Sequence, residues 1–262
     1  MHKGYNFKDV SFESAKYLKI GESIFKNGSE EAKGVLSNFI GPSGKLDASK
    51  MTESWFPDVK ANVFISHSHQ DRNLAVTLAG YLFEKFEITS FIDSMVWGHS
   101  DKLLKMIDKK YCLNEGGETY SYEKRNKSTA HVHMMLSVAL SQMIDRCECL
   151  IFVNTPKSVN SSDVVSSTTN SPWIYAEIAM TALIKARSLK EHRPHYVFEK
   201  IVAADSIPVE YDIDFGHLIE MDAGAFNNWV QTVPNQENHH DLQFDHYPKC
   251  YLALDHLYST LK

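Results

Sequence analysis

The chain has 262 residues, of which 43% are hydrophobic and 23% charged, a composition typical of globular proteins rather than of disordered ones. Its net charge of −6 argues against non-specific binding to nucleic acid or to anionic lipid. It contains no apolar run of roughly 18 residues, no signal-peptide pattern at its start and no CxxC pair among its four cysteines. We therefore expect a cytoplasmic protein with reduced thiols and with no membrane or nucleic-acid partner.

The first 55 residues are predicted to form a helical N-terminal extension. Apolar residues at helical spacing over residues 12–25 predict one helix, which ends near Gly28. Ser29 has the features of an N-cap for a second helix that continues to Ile40. No residue pattern here indicates chemistry, and we expect the extension to serve packing or contact with a partner.

Residues 56–262 alternate between short apolar strands and amphipathic helices. Five strands are predicted, at residues 63–66, 88–92, 150–153, 196–198 and 218–221, and the intervening helices include 71–86, 131–146, 172–186 and 250–261. This alternation predicts an α/β fold in which helices cover both faces of a parallel sheet. We expect the flavodoxin-like strand order 2-1-3-4-5, counted from the strand at 63–66.

Two polar segments interrupt the predicted domain. Residues 111–130 are Gly-containing and highly charged, and they are interpreted as an insertion. Residues 155–170 form a Ser/Thr-rich loop of unusual length, and long loops within compact domains are often functional. The second of these segments leads directly into the helix with the most informative sequence.

That helix has a clear start and a single charge. Ser171 and Pro172 match the preferences for the N-cap and the first helical position. From Trp173 to Ile184 the only charged residue is Glu177, and an all-round apolar helix is typical of a buried one. A buried carboxylate is costly unless it is paired or faces a cleft, so Glu177 points into a polar cavity or has a cationic partner. We expect Glu177 at the point where the strand order reverses, with Trp173 one turn before it on the same face; a purely structural role for both residues remains open.

Three motifs resemble those of the TIR (Toll/interleukin-1 receptor-like) family. Residues 63–68 followed by Asp71 resemble the first box of TIR domains, and residues 91–93 resemble the second strand that leads into the family's BB loop, here 94–100. Ser171, Trp173 and Glu177 are spaced as in the motif of enzymatic TIR domains. The motifs occur in the same order as in the family, over roughly residues 61–260. Trp55-Phe56-Pro57 and the insertions resemble the bacterial subgroup that includes the TIR proteins of Thoeris anti-phage systems.

The resemblance implies an enzyme that cleaves the nicotinamide–ribose bond of NAD⁺ and makes linear or cyclic ADP-ribose as a signalling nucleotide. It implies Glu177 as the catalytic residue and Trp173 as part of the ring pocket. Ser66 and His67 would lie near the ribose or pyrophosphate, and Asp93 and Trp97 beside the site or an assembly contact. NAD⁺ is then a substrate rather than a cofactor, the chain associates with itself through TIR surfaces, and the product reaches a separate effector protein.

Two other functions stay open on the sequence alone. One is a non-catalytic TIR scaffold in which Glu177 is structural, and the other is an enzyme similar to nucleoside deoxyribosyltransferases, which attack the sugar covalently. The pairs His67/His69 and His131/His133 have no nearby Cys or acidic cluster, so we expect no metal site. Neither a GxGxxG motif nor a P-loop occurs.

Overall fold

The computed structural model describes residues 1–9, 14–29, 39–40, 46–55, 60–159, 169, 171–193, 215–234 and 247–261. The chain divides into two compact units. The first consists of Met1–Ile24, Lys60–Ile92 and Ile144–Lys262, and the second of Phe25–Val59 and Asp93–Met143. The first unit contains the sheet, whereas the described part of the second is mainly helical.

The described residues form five strands and nine α-helices. The strands are β1 (Lys3–Lys8), β2 (Val63–Ser66), β3 (Ser90–Ile92), β4 (Cys149–Asn154) and β5 (Ile219–Met221). The helices are α1 (Ala15–Ser29), α2 (Ala48–Trp55), α3 (Arg72–Phe86), α4 (Ser94–Ile107), α5 (Tyr122–Arg146), α6 (Pro172–Leu183), α7 (Leu189–His192), α8 (Ala223–Thr232) and α9 (Lys249–Thr260). All strand pairs are parallel, in the order β3-β2-β4-β1-β5. The predicted parallel α/β class is confirmed, as is the adjacency of the first three predicted strands.

The fourth position of the sheet is occupied by the N-terminal strand. β1 pairs with β4 through all six of its residues, from Lys3↔Cys149 to Lys8↔Asn154, and with β5 on its other side. The prediction of a wholly helical extension over residues 1–55 is therefore wrong for its first residues. These first residues form a strand rather than a helix because their side chains alternate with a period of two. Tyr5 and Phe7 face one side of the strand and Asn6 faces the other. The strand predicted at 196–198 lies outside the described residues.

Helices cover both faces of the sheet within the first unit. On the Tyr5/Phe7 face, the Phe7 ring stacks on Phe226 of α8 with centroids 4.8 Å apart, and Trp229 of α8 lies 5.2 Å from Phe86 of α3. The Trp229 indole also donates to the Ala253 carbonyl of α9 at 3.0 Å. The opposite face carries α6. The aromatic cluster buries the centre of the sheet, as a strand with neighbours on both sides requires.

Glycines allow α1 and α3 to cross closely. A Cβ atom at Gly80 of α3 would lie far inside contact distance of the Tyr17 carbonyl oxygen of α1, and one at Gly21 would do the same to Val76. The atoms that such a Cβ would meet first belong to the backbone, which cannot move aside as the end of a flexible side chain can. Only glycine therefore fits at these two positions.

Gly80→Ala is expected to lower the free energy of unfolding by about 1–3 kcal/mol because the methyl group overpacks the crossing. Helix propensity alone predicts the opposite sign, a gain of about 1 kcal/mol. Urea denaturation followed by circular dichroism measures the sign. A stabilised variant would contradict the close crossing.

A buried ion network closes the amino edge of the sheet. Arg193, which is 2% exposed, donates from Nε to Glu148 at 2.7 Å and from Nη1 to Asp255 at 2.7 Å. Burial alone would lower the pKa of Arg193, but the hydrogen bond and charge of Glu148 outweigh it and the pKa rises. Tyr258 of α9 also donates to Glu148, at 2.9 Å. The Arg193 guanidinium therefore binds both Glu148, the residue before β4, and Asp255 of α9.

One prediction in the second unit is wrong. Residues 94–100, expected as a loop, form the first turns of α4, whose N-cap Asp93 accepts from the Ser94 backbone N–H at 2.6 Å. The segment 111–130 includes the end of a π-helical turn (Asp108–Cys112), a tight turn and the first nine residues of α5, and its being an insertion stays a prediction. The polar composition of residues 122–130 reflects an exposed stretch of helix rather than a loop.

Candidate functional site

The side chains of Ser66 and Glu177, 111 residues apart in sequence, meet in the first unit. The Ser66 hydroxyl donates to Glu177 Oε2 at 2.6 Å, and both residues are 0% exposed. Ser66 is the last residue of β2, and Glu177 lies on α6, the helix that follows β4. Because β2 and β4 are neighbours at the reversal of strand order, the predicted switch point does bring these two residues together.

Helix α6 begins as the sequence predicts but is not buried all round. The Ser171 hydroxyl accepts from the Ile174 backbone N–H at 3.3 Å, with Pro172 in the first turn. The buried side chains are Ile174, Glu177, Ile178 and Thr181, which share one face, while Leu183 is 65% exposed. The prediction that an apolar helix must be enclosed on every side is therefore wrong. The carboxylate belongs to the one face that packs against the sheet.

The other predicted site residues divide between the two units. His67 directly follows Ser66 and is buried at 3% exposure, and Trp173 is half-buried one turn before Glu177. Asp93 and Trp97 belong to the second unit, where Asp93 caps α4 and Trp97 lies within it. Ser66 and Glu177 thus meet at the carboxyl end of β2, where His67 follows Ser66, while Trp173 lies one turn before Glu177 on α6. A substrate contact for Asp93 and Trp97 stays a prediction.

A row of side chains crosses the sheet beside Ser66. The register pairs Ser66 with Phe152, Phe152 with Asn6, and Asn6 with Glu220, so all four point to the α6 face. Asn6 is 0% exposed, donates to Glu220 at 2.9 Å and accepts from Asn154 at 2.9 Å. With strands about 4.8 Å apart, Asn6 lies about 10 Å from Ser66. Asn6 was not predicted as a neighbour of Ser66 because the sequence analysis did not identify β1, the strand that contains it.

Thr181 is a further polar neighbour on the buried face of α6. It lies one turn after Glu177, and its hydroxyl is 2.6 Å from His217 Nε2. Because residues four positions apart lie on the same face of a helix, the sequence does contain the information that Thr181 is a neighbour of Glu177. His217, by contrast, lies in the turn before β5, and its contact with Thr181 of α6 could be identified only from the tertiary structure.

A polar cleft of about 800 Å³ opens at the carboxyl ends of β2, β4 and β1. Its base includes Asp71, which is 4% exposed and accepts from the Thr155 hydroxyl at 2.5 Å. Lys157 reaches Asp71 at 3.2 Å from the turn after β4. Leu18 of α1 and Ser14, which directly precedes α1, also line the cleft. This is the edge of the sheet at which open α/β folds bind ligands.

Glu177 is not among the described residues that line this cleft, and its side chain is fully buried. The Glu177 carboxylate has a direct polar partner in the Ser66 hydroxyl, and a polar cavity at Glu177 stays a prediction.

Ser66→Ala should lower the free energy of unfolding by about 1–3 kcal/mol, because it removes a hydrogen bond to a buried carboxylate. In the Glu177→Gln variant, Ser66→Ala should lower the free energy of unfolding by a smaller amount, since a neutral amide is a weaker acceptor than a carboxylate. A double-mutant cycle by urea denaturation measures the difference. Equal costs in both backgrounds would show that Glu177 is not charged in the folded protein.

Among the described residues, no three His, Cys, Asp or Glu side chains are grouped as a metal ion would require. Within the same residues, no helix combines the length and the apolarity needed to cross a membrane.

Comparison of the chain with protein-family models, with curated proteins and with solved structures finds no match in any of the three. The resemblance to TIR domains therefore depends on the chain's own motifs and on their positions in the fold.

Proposed function

We propose that this chain is a TIR-type NAD⁺ nucleosidase in which Glu177 is the catalytic residue. One observation carries the proposal: the Ser66 hydroxyl holds the Glu177 carboxylate at 2.6 Å at the reversal of strand order in a parallel α/β sheet. Two of the three motifs that resemble the family supply these residues.

The chemistry suits a carboxylate held in this way. The C1′–N bond to the nicotinamide ring breaks, and its electron pair leaves with the neutral nicotinamide. Positive charge develops on the ribose as an oxocarbenium-like state, which a nearby carboxylate stabilises while it accepts hydrogen bonds from ribose hydroxyls. Water then adds at C1′ to give ADP-ribose, or a nitrogen of the adenine adds to give a cyclic product. Neither route needs a nucleophilic serine.

The flanking residues have distinct roles in this proposal. The Ser66 hydroxyl orients the carboxylate. The half-buried Trp173, one turn before Glu177, borders the nicotinamide ring, and His67 at the end of β2 lies toward the ribose or pyrophosphate. The product acts as a signalling nucleotide for a separate effector, in keeping with anti-phage defence.

The full enclosure of Glu177 favours a second candidate, a non-catalytic TIR scaffold. There the Ser66–Glu177 contact would be a buried polar link between β2 and α6, and self-association would be the function. The two candidates share a fold and differ in whether the carboxylate ever meets substrate.

The test is to incubate the purified protein with NAD⁺ and to follow nicotinamide and the nucleotide product by liquid chromatography and mass spectrometry. Because TIR surfaces self-associate in the proposed function, the rate per chain should rise with protein concentration. No nicotinamide at any protein concentration, with or without extract of phage-infected cells as a trigger, would refute the enzyme and leave the scaffold. A trapped covalent ribosyl–protein adduct would instead support the deoxyribosyltransferase-like mechanism.

A further inference from the structure

The second unit contains an apolar cavity of about 730 Å³, within the range of about 300–1,000 Å³ found for small-molecule sites. Three segments form its walls: residues 46–52, residues 107–112 and one face of α5. Its buried floor consists of Met51, Ile107, Cys112 and Met135. Methionine fills irregular spaces and adapts to flexible apolar ligands. The proposed NAD⁺ chemistry does not use this cavity.

The charges at the cavity are all of one sign. Lys124 and Lys127 of α5 line it, with His131 one turn further along the same face. No aspartate or glutamate occurs among the described lining residues, although the chain as a whole carries a net charge of −6. The nearby buried carboxylate of Asp108 is already paired with Arg125 at 2.9 Å and accepts from Ser128. The cavity therefore favours an anion at its lysine end.

Polarity changes along α5 in one direction. The lysines occupy the N-terminal part of the lining face, and Met134, Met135 and Val138 occupy the C-terminal part. Met134 is 65% exposed and Val138 44% exposed, so apolar surface continues from the buried floor to the rim. From Lys124 to Val138 the helix rises about 21 Å. An occupant must combine an anionic head with an apolar chain long enough to follow this face.

We propose that the second unit binds one long-chain monocarboxylate, a fatty-acid-type ligand. Its carboxylate lies between Lys124 and Lys127, and its chain runs over Met51 and Met135 toward Val138. The lysine stems cover apolar surface while their ammonium groups meet the head group.

A fluorescence titration of the full chain with cis-parinaric acid, a fluorescent C18 monocarboxylate, tests this site. We expect saturable binding of one molecule per chain, displaced by palmitate but not by octanoate. Lys124→Gln/Lys127→Gln should weaken binding of the acid by about threefold to thirtyfold while leaving its methyl ester unaffected. Met134→Ser/Val138→Ser should weaken both the acid and the ester, because it removes apolar contact rather than charge.

Lys102→Gln/Lys105→Gln is the matched control, since it removes two lysines of α4 that do not line the cavity. The control should bind the acid as the wild type does. Absence of saturable binding to the wild type, equal affinity for acid and ester, or equal weakening by the control pair would overturn the proposal. Binding to anionic phospholipid vesicles without binding of the monomeric acid would overturn it as well. None of these outcomes depends on NAD⁺ turnover.

Discussion

Glu177→Gln is expected to reduce the rate of nicotinamide release from NAD⁺ by at least about 10²–10³-fold, the range seen when one preorganised electrostatic contact to a transition state is removed. Glutamine has the same shape, but it brings no negative charge to the developing oxocarbenium. Its amide oxygen still accepts the Ser66 hydroxyl, so the link between β2 and α6 is retained. The measurement is initial velocity under saturating NAD⁺, together with thermal unfolding of each variant.

Glu84→Gln is the control for that experiment. Glu84 is an exposed carboxylate of α3 whose salt bridge is to Lys16, so the same chemical change there should leave the rate unaltered. A Glu177→Gln variant that folds normally and turns over NAD⁺ at the wild-type rate would refute the catalytic assignment. If the rate is lost only because the variant unfolds, Glu177 is a structural residue and the scaffold is the better description.

Phe7→Ala should lower the free energy of unfolding by about 3–5 kcal/mol, because it empties a large volume in a packed core. Phe7 is 1% exposed, and its ring stacks on Phe226 at 4.8 Å. Such a loss is a substantial part of the 5–15 kcal/mol by which domains are typically stable. Urea denaturation should show a lower midpoint of unfolding or, at the upper end of the range, a partly unfolded protein in water.

Lys8→Ala is the matched control on the same strand. Lys8 pairs with Glu220 at 2.7 Å, but both side chains are about half exposed, and exposed pairs contribute at most about 1 kcal/mol. Similar small effects of both substitutions would mean that β1 is not part of the core sheet. That result would restore the interpretation of residues 1–55 as an extension.

The sequence predicted the parallel α/β class because buried parallel strands and amphipathic helices differ in period. Apolar runs such as 63–66 and 150–153 stand out from helices such as 71–86 without any tertiary information. The start of α6 was equally clear, since an N-cap serine and a first-turn proline act locally. Predictions failed where local patterns were ambiguous: residues 94–100 lack a strong helix pattern, and Gly4 to Phe7 alternate over too few residues to identify a strand.

The sequence by itself determined the class of fold and the isolation of Glu177 on an apolar helix. Only the tertiary structure decided that β1 fills the fourth place in the sheet, that Glu177 is enclosed against Ser66, and that lysines and methionines line one cavity. The reason is physical. Helix periodicity and capping are interactions between residues a few positions apart, whereas strand pairing and burial of a carboxylate depend on contacts between residues more than 100 positions apart, as with Lys3↔Cys149 and Ser66–Glu177.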